Sequence, residues 1–167
     1  MSALETERLI LRPLEASDLP AYRKIWSNPE VTRWLSSSEQ IGETFAERAF
    51  KAWEKHLKAR GYAPWAVVHK ETRELMGHCG LQHIKEWGYP EVLYMFDEPW
   101  WGQGYATEAA MASVAFGLGA LQLDKIGGMA FESNPASCRV LEKCGLTLRG
   151  PITFHGDELV YYERIGT

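Results

Sequence analysis

Trp101-Gly102-Gln103-Gly104-Tyr105-Ala106-Thr107-Glu108-Ala109 decides how this chain is read, because it joins an apolar run to an Ala-rich segment through two glycines. Upstream, Val92-Leu93-Tyr94-Met95-Phe96 has the β-branched and aromatic content of a strand. Downstream, Val114 and Leu118 fall on one face of a helix that Gly117 or Gly119 would end. The unit is strand, Gly-rich turn, helix. At such a helix start the first N–H groups lack intrahelical partners and the positive end of the helix dipole adds to them. Residues 102–107 therefore predict a phosphate-binding turn. A pyrophosphate must approach the backbone closely, which suits Gly104, and Ala106 is the next smallest choice.

A bare Gly-x-Gly can also be no more than a tight turn, so its context has to decide. A Rossmann dinucleotide loop is the nearest rival, with Asp124 at about the spacing of a ribose contact. Against it, Thr107 stands where the third glycine belongs, and the chain offers no second βαβ half.

Working outward, Trp65-Ala66-Val67-Val68 and Leu75 to Ile84 precede Val92 to Phe96 with polar breaks between them, which predicts three antiparallel strands. Before these, Leu9-Ile10-Leu11 reads as a first strand. Ser17 then reads as the N-cap of a helix with Pro20 in its first turn and its end near Asn28-Pro29. A second helix is predicted from a Ser37 and Gln40 capping box through Ile41, Phe45, Ala49, Trp53 and Leu57 to Gly61. After the turn come a strand over Lys125 to Phe131 and a helix with Asn134 as N-cap, Pro135 at its first position and Gly145 after it. A hairpin of Leu146 to Phe154 with Leu159 to Ile165, around His155-Gly156-Asp157, completes an α+β fold with a mixed, mostly antiparallel sheet flanked by helices.

With no internal repeat and no Pro/Gly/Ser linker, the 167 residues predict one domain spanning 1–167. The net charge of −4 and the lack of a Lys/Arg cluster argue against nucleic acid. No apolar run approaches the roughly 20 residues of a membrane helix. The opening Met1-Ser2-Ala3-Leu4-Glu5 does not resemble a signal peptide, so a cytoplasmic location is expected. Cys79, Cys138 and Cys144 lack metal-ligand spacing and are expected to be reduced thiols, with no metal.

The turn motif, together with Asn134-Pro135-Ala136-Ser137-Cys138-Arg139-Val140-Leu141-Glu142-Lys143-Cys144-Gly145-Leu146, resembles the GNAT N-acetyltransferase superfamily and within it the RimJ/RimL-like branch. Glu7 to Pro13 with Asp18, and Gly77 to Leu81, extend the resemblance over nearly the whole chain. The resemblance implies a twisted sheet with splayed central strands and acetyl-CoA as co-substrate. The backbone of Tyr94, Met95 and Phe96 would lie along the pantetheine arm, Gly102, Gln103, Gly104, Tyr105, Ala106 and Thr107 would hold the phosphates, and Asn134 would reach the pantetheine amides. The acceptor it implies is a primary amine, either a peptide N-terminus or a small amine, with a homodimer left open. Trp101 departs from the Gln or Arg common in the superfamily, so its side chain could not bind phosphate and the backbone must carry more of that work.

Acyl transfer from a thioester to an amine needs a neutral amine, a stabilised oxyanion and a protonated leaving thiolate. The Tyr that many GNAT enzymes use as the acid falls at Leu141 here. Ser137, four residues before Leu141 and seven before Cys144, shares the inward face of that helix and is the expected replacement, although a first-turn serine can instead bond its own helix backbone. Cys138 reads as a packed small residue rather than a nucleophile. Glu91 opens the strand before the turn, where related sequences often carry an acidic residue facing the acceptor, and is the expected base. Asp97, Glu98 and His83 compete with it. Trp26, Trp34 and Trp87 are expected to wall the acceptor side. A coenzyme-A-binding module without turnover is the reading from a different class.

Overall fold

Strand and helix propensities along the chain resolve into eight strands and five α-helices among the residues described by the computed structural model, 2–35 and 44–167. In chain order these are β1 (Leu4–Glu5), β2 (Leu9–Arg12), α1 (Leu19–Trp26), α2 (Pro29–Thr32), α3 (Phe45–Arg60), β3 (Trp65–His69), β4 (Leu75–Ile84) and β5 (Tyr89–Phe96). They are followed by α4 (Tyr105–Leu118), β6 (Lys125–Ala130), α5 (Pro135–Lys143), β7 (Thr147–Phe154) and β8 (Asp157–Ile165). The strands form one sheet in the order β1-β2-β3-β4-β5-β6-β8-β7. Every neighbouring pair is antiparallel except β5 with β6. The expected α+β architecture is present.

Two apolar layers hold the sheet between helices. On one face α4 and α5 pack through Ala109, Ala110, Val114 and Leu141 against Val67, Leu81, Val92 and Ile126, all of them buried. On the other face α1 and α3 pack through Tyr22, Ile25, Trp26 and Ala49 with Met95 of β5. Alternation along a strand assigns sides, so Val92, Tyr94 and Phe96 face α4 and α5, whereas Glu91, Leu93 and Met95 face α1 and α3.

Two boundaries differ from the sequence reading. Ser17 does not cap α1: it lies in a 3-10 turn over Ala16–Asp18, and the buried Asp18 carboxylate accepts from the Glu15 N–H at 2.8 Å. That carboxylate is fixed by the Arg12 guanidinium through bonds of 2.7 and 2.8 Å, a bidentate clamp that a serine cannot make. Asn28-Pro29 begins a helix as well as ending one, because Asn28 Oδ1 accepts from the Glu30 N–H at 3.0 Å and Pro29 takes the first position of α2. The predicted capping box at Ser37 and Gln40, with Ile41, lies outside the described residues, while Gly61 closes α3 in the left-handed conformation as expected. Among the described residues no helix is long and apolar enough to cross a membrane.

Candidate active site

The sheet opens between β5 and β6. β4 and β5 are paired along their whole length, from Gly77 opposite Phe96 to Ile84 opposite Tyr89, but β5 and β6 share the single pair Glu91 and Gly127. The Asp97 N–H donates to the Met76 carbonyl at 2.8 Å. Hydrogen-bonded pairs recur every second residue in an antiparallel ladder, so the backbone groups of Met95 and Leu93 are likewise committed to β4. Those of Tyr94 and Phe96 point the other way, into the splay. Met95 therefore lines the site with its backbone groups turned to β4, away from the splay.

At the wide end of the splay the Gly-rich turn enters α4. Gly102 and Gly104 have φ of 72° and 82°, the left-handed region that glycine occupies without strain. Among the described residues no N–H group of residues 102–107 donates to a carbonyl outside α4, and these groups are the orphan donors of the helix start. The turn is braced from below. Arg8 donates through Nη1 to the Gln103 carbonyl at 2.9 Å and through Nε to Glu108 Oε2 at 2.7 Å. Glu108 Oε1 also accepts from the Thr6 hydroxyl at 2.6 Å and the Arg8 N–H at 2.8 Å. Burial works against the ionised Glu108, yet these bonds and the arginine charge hold its carboxyl below the usual range. Gln103 turns its side chain away, Nε2 donating to the Pro99 carbonyl at 2.9 Å, and is absent from the cleft lining. Trp101 donates from its indole N–H to the Phe96 carbonyl at 2.7 Å, so it ties the turn to the end of β5.

A cleft of about 1000 Å³ runs from this turn along the splay, lined by Gly102, Gly104 to Thr107, Tyr94 to Phe96, Asn134 and Ser137. The Asn134 Oδ1 accepts from the Ser137 N–H at 3.3 Å, which confirms it as the N-cap of α5. The Ser137 hydroxyl does not bond its own helix backbone. It lies 2.9 Å from the Tyr94 hydroxyl, which also donates to the Ser137 carbonyl at 2.9 Å. Burial pushes the Tyr94 phenol well above its usual pKa, so it stays protonated. Leu141, one turn further along α5, is fully buried in the core.

Glu91 and Ser137 thus stand on opposite faces of β5 at the splay. Glu91 lines both the large cleft and a second cavity of about 390 Å³ on the α1 and α3 face. Of its competitors, Asp97 Oδ1 caps a 3-10 turn by accepting from the Glu98 N–H at 3.0 Å, and Glu98 accepts from Asn28 at 3.2 Å. His83 lines the cleft with its pKa lowered by burial. Trp26 lines the smaller cavity and Trp34 the larger one, but Trp87 lines neither and packs edge-on to Tyr161 with ring centroids 5.0 Å apart. Cys138 is half-buried with Sγ 3.8 Å from the Phe131 carbonyl, while burial pushes the thiols of Cys79 to about 12 and Cys144 to about 11.

Sequence reading missed the Tyr94 side chain and two cations. Arg139 and Lys143, one turn apart on α5, line the cleft and make no ion pair among the described residues. Their i, i+4 spacing on a cleft-lining helix was the available signal.

Residues 8–147 match the family model described as an acetyltransferase (GNAT) domain. The uncharacterized N-acetyltransferase YoaA of Bacillus subtilis (strain 168) is 34% identical over 151 residues, spanning 88% of this chain and 84% of that protein. An acetyltransferase structure from Agrobacterium tumefaciens superposes with a TM-score of 0.85 at 28% identity, covering 98% of this chain and 94% of that one. RimL, a ribosomal alpha-N-protein acetyltransferase solved in complex with coenzyme A, shares the fold with a TM-score of 0.82 at 19% identity over 99% of this chain and 98% of its own. With the family model covering most of the chain, on a splayed sheet whose N–H-lined turn opens α4, the protein belongs to the GNAT family of N-acetyltransferases.

Proposed function

We propose that residues 1–167 act as one unit that transfers an acetyl group directly from acetyl-CoA to a primary amine, with both substrates bound at the β5–β6 splay. The observation that carries this reading is the placement of Glu91 and Ser137 on opposite faces of β5, both lining the large cleft, with the open sheet between them. The orphan N–H groups of residues 102–107 hold the pyrophosphate, and Arg139 and Lys143 add positive charge along the same cleft. The backbone groups of Tyr94 and the N–H of Phe96, whose carbonyl is taken by Trp101, bond the pantetheine arm, and an N–H there polarises the thioester carbonyl. Asn134 keeps its capping role beside the arm.

The amine must be neutral to attack. An α-amine, with a pKa near 8, is partly neutral at working pH. Its nitrogen forms the C–N bond at the carbonyl carbon, the C–S bond breaks, and the electron pair leaves on sulfur. Glu91 takes the proton released from nitrogen. The Ser137 hydroxyl passes a proton to the departing sulfur and regains one from solvent in the cleft, and Tyr94 is the positioning residue that holds it there, since a phenol with so high a pKa retains its own proton.

The first reading of the acceptor is a peptide N-terminal α-amine, in line with the RimJ/RimL-like resemblance. A small free amine is the second reading, favoured by the aromatic walls of the smaller cavity. Mass spectrometry of a mixed peptide and amine library incubated with acetyl-CoA tests the activity. Products heavier by one acetyl group and absent with Gly104→Glu are expected, whereas acetyl-CoA binding without any acetylated product would leave a coenzyme-A-binding module.

A further inference from the structure

The smaller cavity is not part of the phosphate cleft, because no residue between 102 and 107 lines it. It opens onto the transfer point instead, sharing Leu35, Gln82, Glu91, Leu93 and Tyr94 with the large cleft. Its shape follows from α3. Phe45, Arg48, Ala49, Ala52 and Trp53 fall at helical spacing on one face, and the two alanines leave a recess between the aromatic rings. Trp26 of α1 closes one side with its ring centroid 3.9 Å from that of Phe45, and Trp53 leans on His78 at 4.7 Å. His78 is buried, accepts no charge near neutral pH because burial lowers its pKa to about 3, and is bonded to the Tyr22 hydroxyl at 2.8 Å.

Among the described residues the cavity's charged groups are one arginine, Arg48, and one carboxylate, Glu91. Within that lining there is no excess of negative charge to pair the second ammonium group of a polycation as it loses water. An apolar group loses water there at no such cost and gains ring contacts. About 390 Å³ lies at the small end of ligand-pocket volumes, roughly 300–1,000 Å³.

We propose that this recess is a selectivity pocket for an aromatic or branched apolar group carried one to three bonds from the acceptor amine, so that the protein acetylates apolar monoamines in preference to polyamines. The inference rests on the acetyl-transfer reading above. The group can come from a free amine or from the first side chain of a peptide, and the same chemistry recognises both.

The test compares kcat/KM for 2-phenylethylamine and isoamylamine with that for putrescine and spermidine. It repeats the comparison on two otherwise identical peptides starting with Phe or Asp. Apolar acceptors should lead by at least about tenfold in whichever source is used, the lower end of what one apolar group contributes in a fitted pocket. Ala52→Phe, a substitution at an exposed helix position, should fill the recess and erase that lead while leaving acetyl-CoA affinity unchanged. Turnover without preference, a preference for polyamines, or an unchanged profile in Ala52→Phe overturns the proposal. If no amine at all is acetylated, the transfer reading fails instead. Calorimetry of 2-phenylethylamine with the coenzyme-A-saturated protein then decides the pocket: binding lost in Ala52→Phe supports it, and no binding to the parent overturns it.

Discussion

The Tyr94 hydroxyl on β5 reaches across to α5 and meets Ser137 twice, at its hydroxyl and at its carbonyl, each at 2.9 Å. The phenol has one proton for these two acceptors, and when it goes to the hydroxyl the serine's own proton is left to point into the cleft. Ser137→Ala should then lower turnover by more than about fivefold and toward the factor of about 100 typical of a lost proton donor, with little change in acetyl-CoA affinity. Tyr94→Phe should lower turnover by less, and in a Ser137→Ala background it should add almost nothing, since it acts through the serine. Steady-state kinetics on the three variants, with melting temperatures beside them, check this. Independent, additive losses would detach Tyr94 from Ser137.

Gly104→Glu should abolish acetyl-CoA binding. It places a β-carbon at a backbone with φ of 82° and an anion where the pyrophosphate approaches. Calorimetry on the folded variant is the check. Retained affinity would move the phosphate site elsewhere.

Arg139 and Lys143 should contribute charge rather than shape. Replacing both with Ala should weaken acetyl-CoA binding and flatten its dependence on ionic strength, because these exposed cations are screened by salt in the parent. Binding measured from low to high salt reads both effects.

The Glu108 brace predicts an acid-side instability. Its folded pKa is depressed, so its contribution to stability is complete above the unfolded value of about 4.3 and is lost as pH falls from there through the folded pKa. Chemical denaturation of Glu108→Gln should show lower stability than the parent near pH 6, and the difference should shrink in that lower window.

Much of this was legible in the sequence, for reasons that are local. Gly102 to Thr107 and Asn134-Pro135 carry their own capping chemistry, and the strands on either side carry their own apolar patterns, so turn, caps and strand positions could be read from spacing. The pairing of Tyr94 with Ser137 could not, because it joins residues 43 apart in sequence across two elements. The Arg8 brace on Gln103 and Glu108 is longer range still. Ser17 carries a cap-like signal that the structure does not use, because the competing Asp18 is selected by Arg12, six residues away, and not by helix propensity. Met95 sits in a motif whose backbone was expected to face the ligand, and only the register with His78 reveals that it faces β4.

Direct transfer at the β5 splay requires both substrates on the protein at once. Initial rates measured over a grid of acetyl-CoA and acceptor concentrations test it most directly. Intersecting double-reciprocal lines are predicted, with no acetylated protein detected when acetyl-CoA is supplied alone. Parallel lines together with an acetyl group trapped on the protein, at Cys138 or elsewhere, would contradict it.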